Sequence, residues 1–394
     1  MTYHKFHATQ LFTGTELLGD DPVLITDGKG KIEAIVPIKD AGENIQKFDG
    51  ILSPGFINCH CHLELSHMKG RIPEKTGLVD FVFKVVNERH FPDEEIMDAI
   101  ANAENKMYEN GIVAVGDICN NTLTLSQKEK QQLSYYNFIE VSGWLPGVAN
   151  IRFERSLDFF KTFNKFQSSD SSLQASLSPH APYSVSNELW TLIQPYFNSK
   201  TVTIHNQETA FEDSLFKNGD GDFRRMYEMM KLDTSFFQPT GKTSLQSYLS
   251  KLSQAKEVLL VHNTFTREED ILFAESVHQN INWCLCVNAN QYIEKAVPPV
   301  ELLRKHDCSI VIGTDSLASN HSLSVLDELK TLTKHFHSIP LEELLQWSTC
   351  NGAKALQMED RLGSFEKGKQ PGIVIIEHLE NGTIGAGTNS RRLL

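Results

Sequence analysis

Two histidines separated by a single residue, His60 and His62, follow an apolar run at positions 51–58. The run predicts a short buried strand, in which residues i and i+2 point to the same side. The two imidazoles therefore project together from the end of that strand, while Cys59 and Cys61 face the other way. Because neutral imidazole is a common ligand of divalent zinc, this spacing predicts that both rings bind one metal ion.

Further polar residues follow other apolar runs later in the chain. All are of types that bind metals or transfer protons, and each comes at or just after the end of a predicted strand. Residues of these types that occurred by chance would not all fall at strand ends, so their common position predicts one shared site. These residues are His180, His205, Glu208, His262 and Asp315.

The chemistry that such a group could perform is hydrolysis. Three imidazoles and one carboxylate leave room on a divalent cation for one water, whose pKa falls to about 7 when it is bound. A carboxylate beside that water, Asp315, can take its remaining proton, and Glu208 can carry a proton to a ring nitrogen or a leaving group. His262 could stabilise the developing charge as a hydrogen-bond donor. The sequence therefore predicts attack of hydroxide on an sp2 carbon that bears nitrogen.

The elements that must position these residues are short apolar strands that alternate with helices. Stretches with helical spacing lie between the strands, for example at 93–110 and 322–336. Eight such strands predict an α/β fold, a (β/α)8 barrel of the TIM type, whose catalytic residues gather at the carboxyl ends of the strands. The predicted strands are 51–58, 112–118, 135–141, 173–178, 201–205, 257–262, 281–287 and 309–314.

Both ends of the chain have a different pattern, with short strands, turn signals and no helical period. We therefore predict a small β-sandwich domain built from residues 1–52 and 364–394. Residues 53–363 would form the catalytic barrel.

Composition restricts the class of protein. The chain has 394 residues, 40% of them hydrophobic, and a formal net charge of −13, which argues against a nucleic-acid surface. It has no apolar run of about 18 residues that would span a membrane, and its beginning lacks the apolar core of a signal peptide. Seven widely spaced cysteines suit reduced thiols. We expect a cytoplasmic protein that acts on a small molecule.

Four stretches of the sequence carry a resemblance to the amidohydrolase superfamily. Within it, the chain resembles the branch of mononuclear deaminases and chlorohydrolases, which includes cytosine, guanine, adenosylhomocysteine and aminofutalosine deaminases. The resemblance extends over nearly the whole chain. The stretches are Pro54-Gly55-Phe56-Ile57-Asn58-x-His60-x-His62, Ser178-Pro179-His180-Ala181-Pro182-Tyr183, His205-x-x-Glu208 and Gly313-Thr314-Asp315-Ser316.

The resemblance implies a role for each matching residue. Glu208 would be the proton shuttle, His262 would polarise the attacked centre, and His180 would face the substrate. Glu64, just past the metal-binding pair, would reach the substrate as well. The resemblance also implies one divalent metal ion, Zn2+ or alternatively Fe2+, and a homodimer or larger homo-oligomer. The implied metal ligands are His60, His62, His205 and Asp315.

Two features of the sequence refine this expectation. Binuclear relatives carry a lysine at the end of the fourth strand, and the run at 173–178 contains none, which favours one metal. The Cys-Pro-x-Ser-Asn pattern expected after the seventh strand is replaced by Cys286-Val287-Asn288-Ala289-Asn290. The second difference lies near the expected substrate pocket, so it leaves the identity of the substrate open.

The sequence is compatible with three alternative functions. The first is a metal-dependent deaminase of an aminated heterocycle of the purine or nucleoside type, which releases ammonia. The second is a hydrolase of the same fold that cleaves a C–Cl, amide or cyclic amide bond. The third is a barrel without catalysis that serves as a scaffold or binding partner. The intact set of ligands and acid–base carboxylates favours an enzyme, and the pairing of Glu208 with His262 and Asp315 favours the deaminase.

Overall fold

The computed structural model describes residues 2–19, 21–165 and 173–394. Its strands fall into parallel pairs in the middle of the chain and mostly antiparallel pairs at the two ends. The strands are β1 (Tyr3–His7), β2 (Gln10–Phe12), β3 (Leu17–Leu18), β4 (Pro22–Asp27), β5 (Ile32–Pro37), β6 (Gln46–Lys47), β7 (Ile51–Pro54), β8 (Phe56–Cys61), β9 (Ile112–Cys119), β10 (Ser134–Val141), β11 (Leu173–Pro179), β12 (Thr201–Asn206), β13 (Glu257–His262), β14 (Ile281–Leu285), β15 (Ser309–Ile312), β16 (Ile373–Glu377) and β17 (Asn389–Arg392).

Helices separate most of the parallel strands, so the α/β class predicted from the sequence is confirmed. The two helices predicted in detail, at 93–110 and 322–336, correspond to α2 and α12 with small differences at their ends. The helices are α1 (Leu78–Glu88), α2 (Asp93–Glu109), α3 (Leu125–Lys128), α4 (Ala149–Lys165), α5 (Asn187–Ile193), α6 (Phe211–Asn218), α7 (Phe223–Met229), α8 (Ser244–Tyr248), α9 (Glu268–Val277), α10 (Val287–Glu294), α11 (Val300–Lys305), α12 (Val325–His335), α13 (Leu341–Ser348) and α14 (Cys350–Ala355).

The eight parallel strands form two sheets of four. One sheet has the order β11-β10-β9-β8 and the other the order β12-β13-β14-β15. The amides of Thr314 and Asp315 donate hydrogen bonds to His60 O (2.9 and 3.0 Å), which joins the end of β15 to β8. The amide of His205 donates to His180 O (2.9 Å), which joins β12 to the residue after β11. The carboxyl ends of strands from both sheets are therefore held at one face.

Almost every residue of the parallel strands is buried. All six residues of β12 and all six of β13 are buried, as expected for strands that are covered on both faces. Helix α2 covers part of this layer with Ile96, Ile100 and Met107, which recur at the helical period. The described part of the chain contains no helix that is long and apolar enough to cross a membrane.

The predicted strand at 51–58 proves to be two strands that belong to different sheets. β7 pairs with β16 from the other end of the chain, with Pro54 opposite Ile373, whereas β8 pairs with β9. Gly55 lies between them, where a Cβ atom would come within 2.2 Å of Val113 Cγ1 and 2.8 Å of Pro371 O. The chain can change sheets here because glycine leaves room for this close approach.

The strands at the ends of the chain form two sheets. The sheet with the order β5-β4-β1-β6 contains only strands from the beginning of the chain, whereas strands from both ends meet in the sheet β17-β16-β7-β2-β3. The predicted strand at 281–287 was two residues too long, because the chain turns into α10 at Val287. The predicted strand at 309–314 likewise ends at Ile312, since the following residues turn towards β8.

Candidate metal centre and active site

The sequence-predicted metal ligands come together at the carboxyl ends of the parallel strands. His60 lies in β8 and His62 directly follows it, His205 lies in β12, and Asp315 lies three residues after β15. The ring centroids of His60 and His62 are 5.0 Å apart, and those of His60 and His205 are 4.9 Å apart. One ligand atom from each of these three imidazoles lies within 4.8 Å of the others.

Asp315 completes this group from the opposite sheet. Its Oδ1 atom is 3.6 Å from His60 Nε2 and 3.3 Å from His62 Nε2. Burial alone would raise the pKa of Asp315, but the close approach of His60 and the other nearby histidines holds it well below its usual range. The carboxylate is therefore anionic beside the imidazoles.

The group has the properties of a metal site. Both ring nitrogens of His60 are buried and have no hydrogen-bond partner among the described residues. A buried polar atom left unpaired costs about 1–3 kcal/mol, so such atoms are rare unless they bind something. Burial also lowers the pKa of His60, His62 and His205, which keeps the lone pairs available. Neutral imidazoles with one carboxylate are a donor set that suits a divalent cation.

A hydrogen bond to the backbone fixes the orientation of the His205 ring. His205 Nδ1 lies 2.7 Å from the carbonyl oxygen of His180, so Nδ1 carries the proton and Nε2 is left as the free acceptor. A hydrogen bond of this kind fixes both the tautomer and the orientation of a metal-ligating ring.

The backbone is strained at the same strand ends. Four residues other than glycine have positive φ there. Such conformations cost of order 1–3 kcal/mol and cluster at functional sites. These residues are Gln207 (φ 44°), His262 (φ 76°), Asn263 (φ 57°) and Asp315 (φ 58°).

Glu208 and His262 form the second part of the site. Glu208 Oε1 lies 3.6 Å from His262 Nε2, and both side chains are almost completely buried. Burial, with Asp315 nearby, raises the pKa of Glu208 well above its usual value and so favours the protonated carboxyl group. The structure thus brings a buried carboxyl group next to the imidazole group.

The hydrogen bonds of His262 determine its tautomer. Nδ1 lies 2.8 Å from Asn290 Oδ1, and Asn290 Nδ2 in turn donates to His262 O (3.4 Å). Nδ1 is therefore the donor, and Nε2 is a bare acceptor with no hydrogen-bond partner among the described residues. The donor role expected from the sequence would need a second proton on the ring, and burial disfavours it by lowering the pKa of His262.

The two predicted substrate residues differ in position. His180 lies beside the metal group, with its ring 4.8 Å from that of His205, and its Nδ1 atom is 2.7 Å from Ser184 Oγ. Glu64 is buried in the turn after His62, where Oε2 accepts a hydrogen bond from the amide of Asn120 (3.0 Å). Burial raises the pKa of Glu64 to about 7. No contact between Glu64 and the imidazole group is seen in the described ranges.

Glu140 is a residue of the site that sequence reasoning missed. It is the penultimate residue of β10, and its Oε2 atom is buried without a hydrogen-bond partner in the described structure. One oxygen of Glu140 lies within 4.8 Å of ligand atoms of His180 and His205. Its position near the end of a strand is the signal that could have revealed it.

Aromatic residues from the 207–240 segment pack beside the site. Tyr227 stacks on Trp144 with 5.3 Å between ring centroids, and its hydroxyl donates to Tyr183 O (2.7 Å). Tyr183 follows His180 by three residues, so the segment is anchored to the loop that carries a predicted substrate residue. Phe237 completes the cluster at 5.1 Å from Trp144.

Comparisons with known proteins agree with this arrangement. The chain is 28% identical over 329 residues to an adenosine deaminase from Helicobacter pylori, a match that covers 82% of this chain and 78% of the relative. It superimposes on the crystal structure of Helicobacter pylori aminofutalosine deaminase in complex with methylthio-coformycin with a TM-score of 0.81 and 25% identity, covering 96% and 93% of the two chains.

A zinc-bound structure is also similar in fold. An adenosine deaminase from Xanthomonas campestris with bound zinc gives a TM-score of 0.70 at 20% identity, covering 94% of this chain and 84% of that one. The model of the amidohydrolase family matches residues 51–390, a range that contains every residue of the site described above. This match extends over most of the sequence, and the chain belongs to the amidohydrolase family.

Proposed function

We propose that the chain is a hydrolytic deaminase of an adenine-type substrate, a purine or a nucleoside-like compound, which it converts with release of ammonia. The observation that carries this proposal is the placement of the buried Glu208 against His262, next to three buried imidazoles and Asp315. The adenosine and aminofutalosine deaminases to which the chain is similar support this choice of substrate class.

The proposed cofactor is one divalent metal ion held by His60, His62, His205 and Asp315. We infer zinc, with Fe2+ as the alternative, because a mixed set of imidazoles and one carboxylate accepts either ion. When bound, such an ion supplies a water with a pKa of about 7 and hence a hydroxide nucleophile at neutral pH.

The chain's own residues would move the protons and hold the substrate. Glu208, whose protonated form is favoured by burial, donates to the ring nitrogen next to the carbon that bears the amine. His262, with its bare Nε2, accepts a hydrogen bond at the reacting centre, and Asp315 takes a proton as the attack proceeds. His180 and Glu64 bind the heterocycle and orient it.

Measurement of ammonia release tests this proposal directly. We expect the metal-loaded protein to deaminate at least one member of a panel of adenosine, 5′-substituted adenosines including adenosylhomocysteine, guanine, cytosine and pterins. Adenine-type compounds should be preferred over pyrimidines. If no compound of the panel releases ammonia although metal analysis confirms one metal per chain, the result would instead favour cleavage of a C–Cl, amide or cyclic amide bond.

Removal of the metal provides a second prediction. Treatment with a chelator should abolish ammonia release, and one equivalent of Zn2+ per chain should restore it, because a single buried group supplies the ligands. Metal analysis should give a stoichiometry near one for the wild type and well below one for His205→Ala. A chelated protein that keeps its full rate would contradict the proposed centre.

We also propose the finer architecture and assembly. The two parallel sheets would close into a (β/α)8 barrel over residues 53–363, and residues 1–52 and 364–394 would form a β-sandwich domain. The hydrogen bonds at the seams between β15 and β8 and between β11 and β12 support closure. We further propose that the protein forms a homodimer or larger oligomer. We also propose a cytoplasmic location, which is supported by seven cysteines that form no disulfide.

A further inference from the structure

A cavity of about 530 Å3 lies at the opposite end of the parallel strands from the candidate active site. Its walls include Val113 near the start of β9 and Ser134 at the start of β10, whereas the candidate site lies beyond the carboxyl ends. Since β9 is eight residues long, roughly 25 Å of strand separates the two. The cavity volume falls within the range of about 300–1,000 Å3 typical of small-molecule sites.

The charge of this cavity differs from that of the whole chain. The sequence has 50 acidic and 37 basic residues, yet the described residues that line the cavity include four basic side chains and no acidic side chain. The four come from three separate parts of the chain: the turn between β4 and β5, the segment before β16, and β17. They are Lys29, Lys31, Arg361 and Arg392.

The two lysines are held on a fixed turn. The amides of Lys29 and Lys31 both donate to Asp27 Oδ1, at 2.8 and 2.9 Å. The nearest carboxylate on this turn is therefore occupied by backbone donors. Among the described residues, neither lysine ammonium makes a hydrogen bond or an ion pair.

Arg392 is the most confined of the four cations. Its Nε atom donates to the backbone oxygen of Leu394, the last residue of the printed sequence (3.0 Å), and its Nη1 atom donates to the carbonyl oxygen of Ile112 (3.3 Å). The guanidinium lies 4.2 Å from the ring of Tyr108. Burial lowers the pKa of this guanidinium, and no side-chain carboxylate in the described chain pairs with it. Arg361 forms an ion pair with Asp360 at 4.0 Å.

These features match an anion with several oxygen atoms. A concave site lined by four cations, one of them poorly solvated, attracts anions. Guanidinium groups in particular are suited to binding phosphate oxygens. Nucleic acid is disfavoured, because the net charge of −13 would repel a polyanion outside the cavity. A small phosphate-bearing compound fits both the charge and the volume.

We propose that this cavity, which we call the basic cavity (Lys29, Lys31, Arg361 and Arg392), binds a small phosphate-class anion at a site separate from the candidate active site. The ligand is either a free oxyanion or the phosphate group of a nucleotide-sized molecule. Binding there is independent of the proposed deaminase reaction, since none of the four cations belongs to the candidate site.

Isothermal titration calorimetry of the metal-loaded protein tests this proposal, with pyrophosphate in one arm and uridine 5′-monophosphate in the other. Uracil has no exocyclic amine, so the second probe is not a substrate for the proposed reaction. We expect saturable binding in at least one arm and about a tenfold or greater loss of affinity in Lys29→Gln/Lys31→Gln. Tighter binding of pyrophosphate identifies a free oxyanion, and tighter binding of the nucleotide identifies a phosphate with an organic group.

The matched control is Lys39→Gln/Lys47→Gln, which removes the same charge from exposed positions outside the cavity. It should bind as the wild type does, and both double variants should keep the wild-type metal content and rate of ammonia release. Metal content measured before and after titration separates binding from extraction of the metal by pyrophosphate. Absence of saturable binding in both arms, or equal loss in the two double variants, would overturn the proposal.

Discussion

Glu208→Gln is expected to lower kcat/KM for deamination by about 10² to 10⁴-fold, the range that a positioned acid–base group contributes. Glutamine has nearly the same shape as the protonated glutamate, so the buried site should keep its packing, but its amide cannot transfer a proton. The loss should appear mainly in kcat. Ammonia release at saturating substrate measures it.

Two comparisons make this result specific to proton transfer. The metal content of Glu208→Gln should equal that of the wild type, because Glu208 is outside the proposed ligand set. Glu228→Gln, an exposed glutamate on helix α7, should keep the wild-type rate. A Glu208→Gln protein that deaminates at the wild-type rate with its metal retained would show that another residue supplies the proton.

Lys128→Met should lower the free energy of unfolding by about 3–5 kcal/mol, because it leaves a buried carboxylate without its partner. Lys128 Nζ lies 2.5 Å from Asp117 Oδ2 and 2.7 Å from Asn137 Oδ1, and both charged side chains are fully buried. Asp117 Oδ1 also accepts the amide of Leu63 (2.8 Å), the residue after His62. Urea denaturation followed by circular dichroism measures the loss.

A surface ion pair in the same chain provides the control for Lys128. Lys161 Nζ lies 3.5 Å from Asp158 Oδ1 with both side chains exposed, so Lys161→Met should change stability by no more than about 0.5 kcal/mol. Replacing both partners, in Asp117→Asn/Lys128→Met, should recover part of the loss, since no uncompensated charge then remains buried. Equal stability of Lys128→Met and Lys161→Met would refute the importance of the buried pair.

The sequence predicts the members of this site better than their hydrogen bonds. His60, His62, His205 and Asp315 were identifiable because strand periodicity is local and parallel strands end at a common face. Glu140 has the same kind of position, yet a single strand-end glutamate does not reveal on which side of the strand it lies. The tautomer of His262 depends on Asn290, a partner 28 positions away that only the folded chain brings near.

The limits of prediction are similar for the fold. The alternation of strands and helices could be predicted from the sequence, because the residues that determine each element lie close together in the chain. The division of 51–58 into β7 and β8 was not, because it depends on contacts of Gly55 with Val113 and Pro371. The strand end at Ile312 shifted for the same reason, since Thr314 and Asp315 bond to the remote His60, whereas β14 ends early because α10 begins at Val287.

The strand pairing around Gly55 has a consequence for the order in which the protein matures. His60 and His62 are among the first site residues to leave the ribosome, but β7, just before them, pairs with β16 and so waits until position 373 has been synthesised. Thr314 and Asp315, which close on His60, also come late. The four proposed ligands can therefore meet only after most of the chain has been synthesised, so binding of the proposed metal ion would follow translation of most of the chain.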